Sequence, residues 1–565
     1  MDTKKLNQIG SNLKDLRRPY DAHFRALGRN FNPRRSKFDT DTRQGDEMNQ
    51  TILNGRPRYA LRTLGSGMHS GVTSPARPWF QLIPQDHDLR QYAPVKEHFT
   101  SAARAMRQLF QSSGLYTMLH TMWGDLGLYG YDAGIIEDDP ITGGLHGHAL
   151  VPGEAWIAAN TRGIVDTTYR EVKFTVTQVV GKFVYMNDPS NTPDWSKVSS
   201  TVKRMWDRGQ EMATVPVRHL IMPRYERDSR TGLASDKPIM STYWEAEESN
   251  KIMGDLGYDR NPINASRWDV QGADTYGTSP AMDALGDARE LQRKERDKAE
   301  AIRRMNRPPM NAPVEMRNSP FSLMPEAINF MDDPNKGLVP AYQVQPRINE
   351  LITDIETSEA RIDEGMYANL FLMIANLDRR QITAREIDER HEEKLLALGP
   401  VLERQHREKL ARLIRTGYDN VVDSGKVAPL PAEFEGIGVE IDYISTLAQA
   451  QKAVATGGLE RLYSFVGNIA GIDGSVVDKL NHDTAIDEYA DMVGVASNAV
   501  RGKDEVDKIR AQRQEAMAQQ QQADAMQQMA ATGKDGAQAA KLLSETDAPR
   551  SGGSAGLLRD LGLTR

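Results

Sequence analysis

Residues 280–307 read PAMDALGDARELQRKERDKAEAIRRMNR, and both ends of this stretch carry helix punctuation. Ser279 is a good N-cap and Pro280 stands at the first helical position, where its missing N–H costs nothing. Arg307 meets Pro308 and Pro309, which cannot continue a helix. The expectation is one bounded helix of roughly 40 Å at about 1.5 Å per residue. Its ends are apolar at helical spacing (Ala281, Leu285, Ala288 and Leu291, then Ala299, Ile302 and Met305), whereas Gln292 to Lys298 is polar on every face. Such a helix either bridges packed regions and associates through charge pairs or is simply a solvated surface helix.

Upstream, helix-favouring pieces flank Pro19 between Lys4 and Leu27, and Arg34 and Arg35 are open to two readings, a contact to partner or phosphate and a solvated turn. In LRTLGSGMHSGVTSPARPWFQL, Leu61 to Leu82, Gly65, Gly67 and Gly71 miss the dinucleotide fingerprint by one residue and follow no evident strand. A closely packed helix, a turn locked by Pro75 and Pro78, and an aromatic anchor explain them better. Pro94 to Gly127 reads as helix. From Gly130 the period changes to two, giving strands at Ala155 to Ala159 and Ile164 to Val180 about a turn at Asn160 to Gly163, with further strands at Val215 to Met222 and Ile239 to Glu245.

Downstream, Pro308 to Gln345 is proline-rich and aperiodic, long enough to need a job of its own. A second helix runs from Pro346 and fades at Ala375 to Gln381. Thr383 and Glu386 form a capping box with Ile382 and Ile387 as its staple. The helix they open is expected to bury Ile387, Leu395, Leu398, Leu402, Leu410 and Leu413, to kink at Gly399-Pro400, and to gain i, i+4 support from Glu386–Arg390, Glu403–Arg407 and Glu408–Arg412. A short strand, Val439 to Tyr443, precedes further helices. Ile509 to Ala530 is helix-favouring but thinly apolar, so it either packs against parallel copies of itself or forms a Gln-rich disordered tail.

The chain has 565 residues, 39% apolar, enough for a large core in several subdomains, and it has no cysteine. Disulfides and thiolate metal sites are excluded, and an intracellular assembly site is expected. No membrane span and no signal peptide are read, so a soluble protein is expected. With 71 basic and 78 acidic side chains the net charge is −7, which argues against a protein that coats nucleic acid but not against a pore through which DNA slides, because tight phosphate contacts would stall movement. No phosphate-binding loop, H-E-x-x-H or G-x-S-x-G motif occurs, which leaves catalysis without a foothold. The one arguable metal cluster is Glu137, Asp138 and Asp139 with His146 and His148, which a polar hairpin explains equally; no metal or cofactor is assigned.

Five stretches resemble, in order, the portal proteins (head-to-tail connectors) of short-tailed, podovirus-type phages. They are Leu61 to Leu82 with Ser74-Pro75-Ala76-Arg77-Pro78-Trp79-Phe80 at its centre, Ile164 to Arg170, Arg267-Trp268-Asp269 with Tyr276 to Leu285, Thr383 to Leu402, and Leu447 to Glu460. The resemblance implies a helix-rich α+β subunit forming a ring, usually of twelve, around a central channel. It divides the chain into an N-terminal region with the wing (1–279), a first stem helix (280–307), a clip (308–345), a second stem helix (346–374) and a channel loop (375–382). A long kinked helix with the wing's return strand (383–440), a helical crown (441–500), a barrel-like helix (501–531) and a disordered tail (532–565) follow.

Twelve helices about 10 Å wide give a ring about 38 Å across its centre line and about 28 Å inside, which passes a duplex roughly 20 Å wide. The implied role is a structural one in the virion, at the capsid vertex, assembled in the host cytoplasm. Double-stranded DNA would pass in packaging and ejection. The implied partners are the other subunits of a homo-oligomer, the terminase, a tail adaptor, and the capsid and scaffolding proteins, with no membrane. Arg379 and Arg380 in the channel loop would lie nearest the phosphates, with intersubunit salt bridges as their alternative. Lys294, Arg296, Lys298, Arg303 and Arg304 are further DNA-channel candidates, whose neighbouring acids could instead pair them between subunits. Another virion component, of tail or scaffold, shares the composition, and so does an enzyme with an unrecognised site.

Overall fold

A computed structural model describes residues 2–377 and 397–522, apart from most of 319–346 and short gaps such as 39–44, 186–191, 228–232, 247–250 and 494–499. Two units result, Met1–Gly494 and Val495–Arg565. In the second, the described residues 506–522 are helical.

The first unit opens with α1 (Thr3–Phe31). Pro19 lies inside this helix instead of separating two pieces: burial of Leu6, Leu13, Phe24, Leu27 and Phe31 along one face offsets the roughly 3 kcal/mol that an internal proline costs. The glycine-rich stretch becomes α2 (Arg56–Val72). A Cβ on Gly65 would lie 3.3 Å from the Gly124 backbone, and one on Gly67 2.3 Å from the Phe371 ring, so these glycines serve close helix packing, as expected. Trp79 and Phe80 follow, both fully buried.

The single helix expected after Pro94 is two, α3 (Ala93–Ser112) and α4 (Leu115–Tyr129), because Gly114 adopts a positive φ of 69° between them. Helix α4 is largely apolar and mostly buried, with Thr117 and His120 on its one exposed side and Trp123 at its centre. It lies under an antiparallel three-stranded sheet of order β3-β2-β9: β2 (Tyr131–Asp139), β3 (Gly144–Ala149) and β9 (Ile263–Arg267).

The second sheet is a five-stranded antiparallel meander: β4 (Ala155–Ala159), β5 (Val165–Thr175), β6 (Thr214–Pro223), β7 (Ile239–Glu245) and β8 (Ile252–Tyr258). Strand β5 stops at Thr175, short of the expected Val180, because Thr175 and Gln178 form a reciprocal capping box that starts a helical segment. One face of this sheet packs on α1 through Leu6, Leu13, Trp156, Tyr169, Leu220 and Trp244. The other covers Val176, Val180, Phe183, Val202 and Val217.

The stretch that opened the sequence reading forms a turn of helix, Pro280–Asp283, and then α5 (Leu285–Asn306), separated at Ala284. The cap is as read: the Ser279 hydroxyl accepts from the Met282 N–H at 3.1 Å. Helix α6 (Ile348–Gly365) runs back along α5, and α7 (Ala368–Leu377) follows after Tyr367, a non-glycine residue at φ +55°. The two-residue strands β10 (Met310–Asn311) and β11 (Val339–Pro340) pair near the far end.

Among the described residues the long return helix comprises α8 (Gly399–Gln405), a π-helical turn (His406–Leu410) and α9 (Ala411–Asp423). Leu398, Leu402, Leu410 and Leu413 are buried as expected; the capping box at Thr383, the Glu386–Arg390 pair, Ile387 and Leu395 lie outside the described residues. Strand β12 (Val439–Tyr443) pairs with β1 (Phe80–Pro84), and α10 (Thr446–Ala470) and α11 (His482–Val493) complete the unit.

Candidate functional site

Helix α5 leaves the body through a root held by buried charge. Lys409 Nζ donates to Asp132 Oδ2 at 2.6 Å, with both side chains fully buried, and lies 3.4 Å from the centre of the Trp123 ring. Asp132 Oδ1 also accepts from the Ser266 N–H (2.9 Å) and hydroxyl (2.8 Å). Burial pushes the Asp132 carboxyl up and the Lys409 ammonium down, each opposed by the other's charge.

One residue along, Arg267 Nη2 donates to Glu408 Oε1 at 2.8 Å and Gln405 Nε2 donates to the Arg267 carbonyl at 2.8 Å. Buried pairs of this kind specify geometry more than they add net stability. The expected Glu408–Arg412 pair is replaced: Glu408 serves Arg267, and Arg412 donates to the carbonyls of Val165 and Ile263. The π turn lies at this contact, as such turns often do at functional positions.

From Arg267 the chain passes Trp268, 6% exposed, and folds back so tightly that a Cβ on Gly130, itself at φ +74°, would lie 2.3 Å from the Gly277 carbonyl. The Tyr276 hydroxyl accepts from the Ile157 N–H at 3.2 Å, and the Ser279 hydroxyl donates to the Leu128 carbonyl at 2.9 Å. The start of the helix is thereby tied to both sheets and to α4.

Helices α5 and α6 pair antiparallel, since Asp287 lies by Arg361 and Lys294 by Asp354. Their contact begins with a clamp: Gln292 Oε1 accepts from the N–H groups of Leu53 (2.7 Å) and Asn54 (2.9 Å), while Gln292 Nε2 donates to the Asn54 carbonyl. Arg56 pairs with the buried Asp363. Beyond Gln292 no residue of α5 is buried, and none of α6 before Ile355.

The candidate basic residues separate here. Lys294 bridges Glu290 (2.6 Å), Asp354 (2.8 Å) and the Ser358 hydroxyl (2.9 Å), so it joins the two helices. Lys298 pairs with Glu295 at 2.6 Å and Arg304 with Glu300. Arg296 and Arg303 are exposed and make no ion pair among the described residues. Arg379 and Arg380 lie outside the described residues.

Elsewhere, Arg35 forms a bidentate pair with the buried Asp125 at 2.6–3.2 Å, which makes it structural. Glu137 faces His146 across β2–β3 but accepts the Tyr258 hydroxyl, and His148 Nε2 lies 2.7 Å from Arg170 Nη1. Among the described residues no group of three or more His, Asp or Glu side chains could hold a metal ion, and no helix is long and apolar enough to cross a membrane.

Of the root residues, Asp132, Gln405 and Lys409 have no role in the sequence analysis and Glu408 is given another partner there, although one signal was present. Leu402, Lys409 and Leu413 stand at i, i+7 and i+11, which puts a lysine where the helical period calls for an apolar side chain.

Residues 3–500 match the family model described as bacteriophage head to tail connecting protein. The chain belongs to that family. A protein of Bordetella phage BPP-1 described as a probable portal protein is 37% identical over 507 residues, covering 89% of each chain. The portal protein of Salmonella phage epsilon15 is 36% identical over 541 residues, 94% of each. The chain is therefore a head-to-tail connector of the portal kind, a structural phage protein and not an enzyme.

Proposed function

We propose that copies of this connector close into a ring in which each subunit contributes the α5–α6 hairpin to the wall of an axial channel; twelve helices abreast leave about 28 Å inside and twelve hairpins standing edge to edge about 66 Å, and either passes duplex DNA. The observation that carries this reading is the bare outer half of the hairpin, residues 293–306 with 348–354, where no side chain is buried in the single chain. Helices this polar have little reason to project unless neighbours complete them.

In this reading 280–307 and 346–374 are the stem, 308–345 the clip that docks the terminase during packaging and the tail adaptor afterwards, and 1–279 with 383–440 the wing facing capsid and scaffolding proteins. Residues 441–500 form the crown, 501–531 a barrel-like helix, and the 375–382 loop narrows the channel with Arg379 and Arg380 toward the phosphates. Of the candidate channel residues on the stem, Arg296 and Arg303 are left available to an anion outside the subunit, whereas Lys294 is withdrawn from that role by its bonds to α6. The mechanism is a conduit: double-stranded DNA enters and leaves along the axis while the buried root keeps each hairpin at a fixed angle to the body.

The test is the native mass of the full-length protein together with negative-stain images. A closed ring with an axial hole is expected; a monomer under conditions that assemble virions overturns the reading.

A further inference from the structure

Helix α5 and its C-cap residue carry five arginines along one line. Arg289, Arg293, Arg296, Arg303 and Arg307 stand at i, i+4, i+7, i+14 and i+18, within about 40° of one another's mean direction at 3.6 residues per turn, over about 27 Å. All five are exposed, and none makes an ion pair among the described residues. The stripe is interrupted only by Glu300, which Arg304 occupies. Like charges at i, i+3 and i+4 repel, so an unpaired row of this length is costly unless an anionic surface meets it.

The row lies opposite the face of α5 that meets α6, where Leu291, Lys294 and Lys298 stand. On α6 the line away from α5 is Asn349, Thr353, Glu356, Ala360 and Glu364, all exposed and without a cation among them; Glu350 stands beside it and is occupied by Arg347 at 2.8 Å. One edge of the hairpin is therefore cationic and the other anionic. A surface that differs on its two edges suits head-to-tail contacts, which close into rings.

The heights agree as well. Lys294 meets Asp354 and Ser358, and Asp287 meets Arg361, so a residue of α5 and its level partner on α6 have numbers summing to about 650. Rotation about a ring axis parallel to the hairpin preserves height. It brings Glu356 level with Arg293 and Arg296, and Glu364 near the height of Arg289.

We infer that the arginine row of α5 is a subunit-docking edge that receives the glutamate edge of α6 from the next copy of this chain. The inference rests on the ring reading above. A row of arginines turned to the channel would instead hold phosphates at many points and slow the sliding that a conduit requires.

The experiment compares full-length wild type with Arg293→Glu/Arg296→Glu, with Glu356→Arg/Glu364→Arg, and with the four changes combined, reading the ring fraction by native mass spectrometry and negative stain. Thermal unfolding of the unassembled subunit monitors folding and is expected to be unchanged, since all four side chains are exposed. Each single-edge variant is expected to lower the ring fraction about tenfold or more, and the combined charge swap to restore it. Single-edge variants that assemble as wild type overturn the inference while leaving the ring reading intact, and so does a combined variant that is not restored. Arg293→Glu/Arg296→Glu rings that form normally but no longer retain DNA assign the row to the channel instead. A wild type that forms no rings removes both readings.

Discussion

Glu408 holds Arg267 from the middle of the return helix: Oε1 accepts from Nη2 at 2.8 Å, with both side chains at most 5% exposed. Arg267 ends β9 and opens the tight passage that leads to α5, while Glu408 sits in the π turn that follows α8. The pair thus ties the element entering the hairpin to the element returning from it. The neighbouring Lys409–Asp132 pair fastens the same helix to β2, so the return helix is fixed at two adjacent side chains.

Removing one member leaves the other charge buried and alone. Glu408→Ala is expected to destabilise the subunit by about 3–5 kcal/mol, read as a fall in the midpoint of chemical unfolding. Glu403→Ala, at the position whose expected partner was Arg407, is expected to change stability by less than about 0.5 kcal/mol. Equal effects from the two would remove the special status of the Glu408 contact.

Two glycines make opposite predictions. A Cβ at Gly67 would meet the Phe371 ring at 2.3 Å, whereas one at Gly286 meets nothing within 4 Å. Gly67→Ala is expected to cost about 1–3 kcal/mol through overpacking, and Gly286→Ala to add up to about 1 kcal/mol by helix propensity. Thermal unfolding of the two variants is sufficient, and a stabilised Gly67→Ala would contradict the packing of α2 on α7.

Lys294 joins α5 to α6 through Glu290, Asp354 and Ser358. Lys294→Gln is expected to speed backbone hydrogen exchange in the outer half of the hairpin, with a global stability loss of about 1 kcal/mol or less, as for a largely accessible pair. Were Lys294 a DNA contact instead, exchange in the unassembled subunit would be unchanged.

What the sequence discloses depends on how far each interaction reaches along the chain. The Ser279–Pro280 cap, the glycines of α2 and the buried pair Trp79-Phe80 are local signals and were legible. Pro19 was misread because the burial of Phe24 and Phe31, supplied by distant elements, overrides the local cost of proline. Strand β8 escaped notice because Gly254 and Gly257 interrupt its alternation; Gly257 is required there, since a Cβ would lie 2.2 Å from the Ala234 carbonyl. Lys409 finds Asp132 across 277 positions, a pairing that no local pattern encodes. The candidate cations were legible as charges; Lys298 and Arg304 are taken by acids within α5, but that Lys294 is taken is decided by α6, far along the chain.

Acid should loosen the subunit through its enclosed histidines. His148 is pushed down to about 4 by burial and then by the Arg170 guanidinium, and burial also lowers His69 and His406 to about 4 and His219 well below its ordinary 6.5. His219 accepts from Arg170 Nε at Nδ1 (2.9 Å), stacks on Tyr243 at 3.6 Å and meets the Ser241 hydroxyl; Lys182 lies over the same Tyr243 ring, and among the described residues no carboxylate pairs with Arg170. Between pH 6.5 and about 4 the unfolded chain binds protons that the folded one refuses, so stability is full above pH 6.5 and falls as pH drops through that window. Each histidine contributes a slope of at most about 1.4 kcal/mol per pH unit. His148→Gln keeps an acceptor for Arg170 but cannot titrate, so the variant is expected to flatten the pH dependence of unfolding by about one histidine's share. An unaltered slope would mean that His148 is not held below its ordinary range in the folded protein.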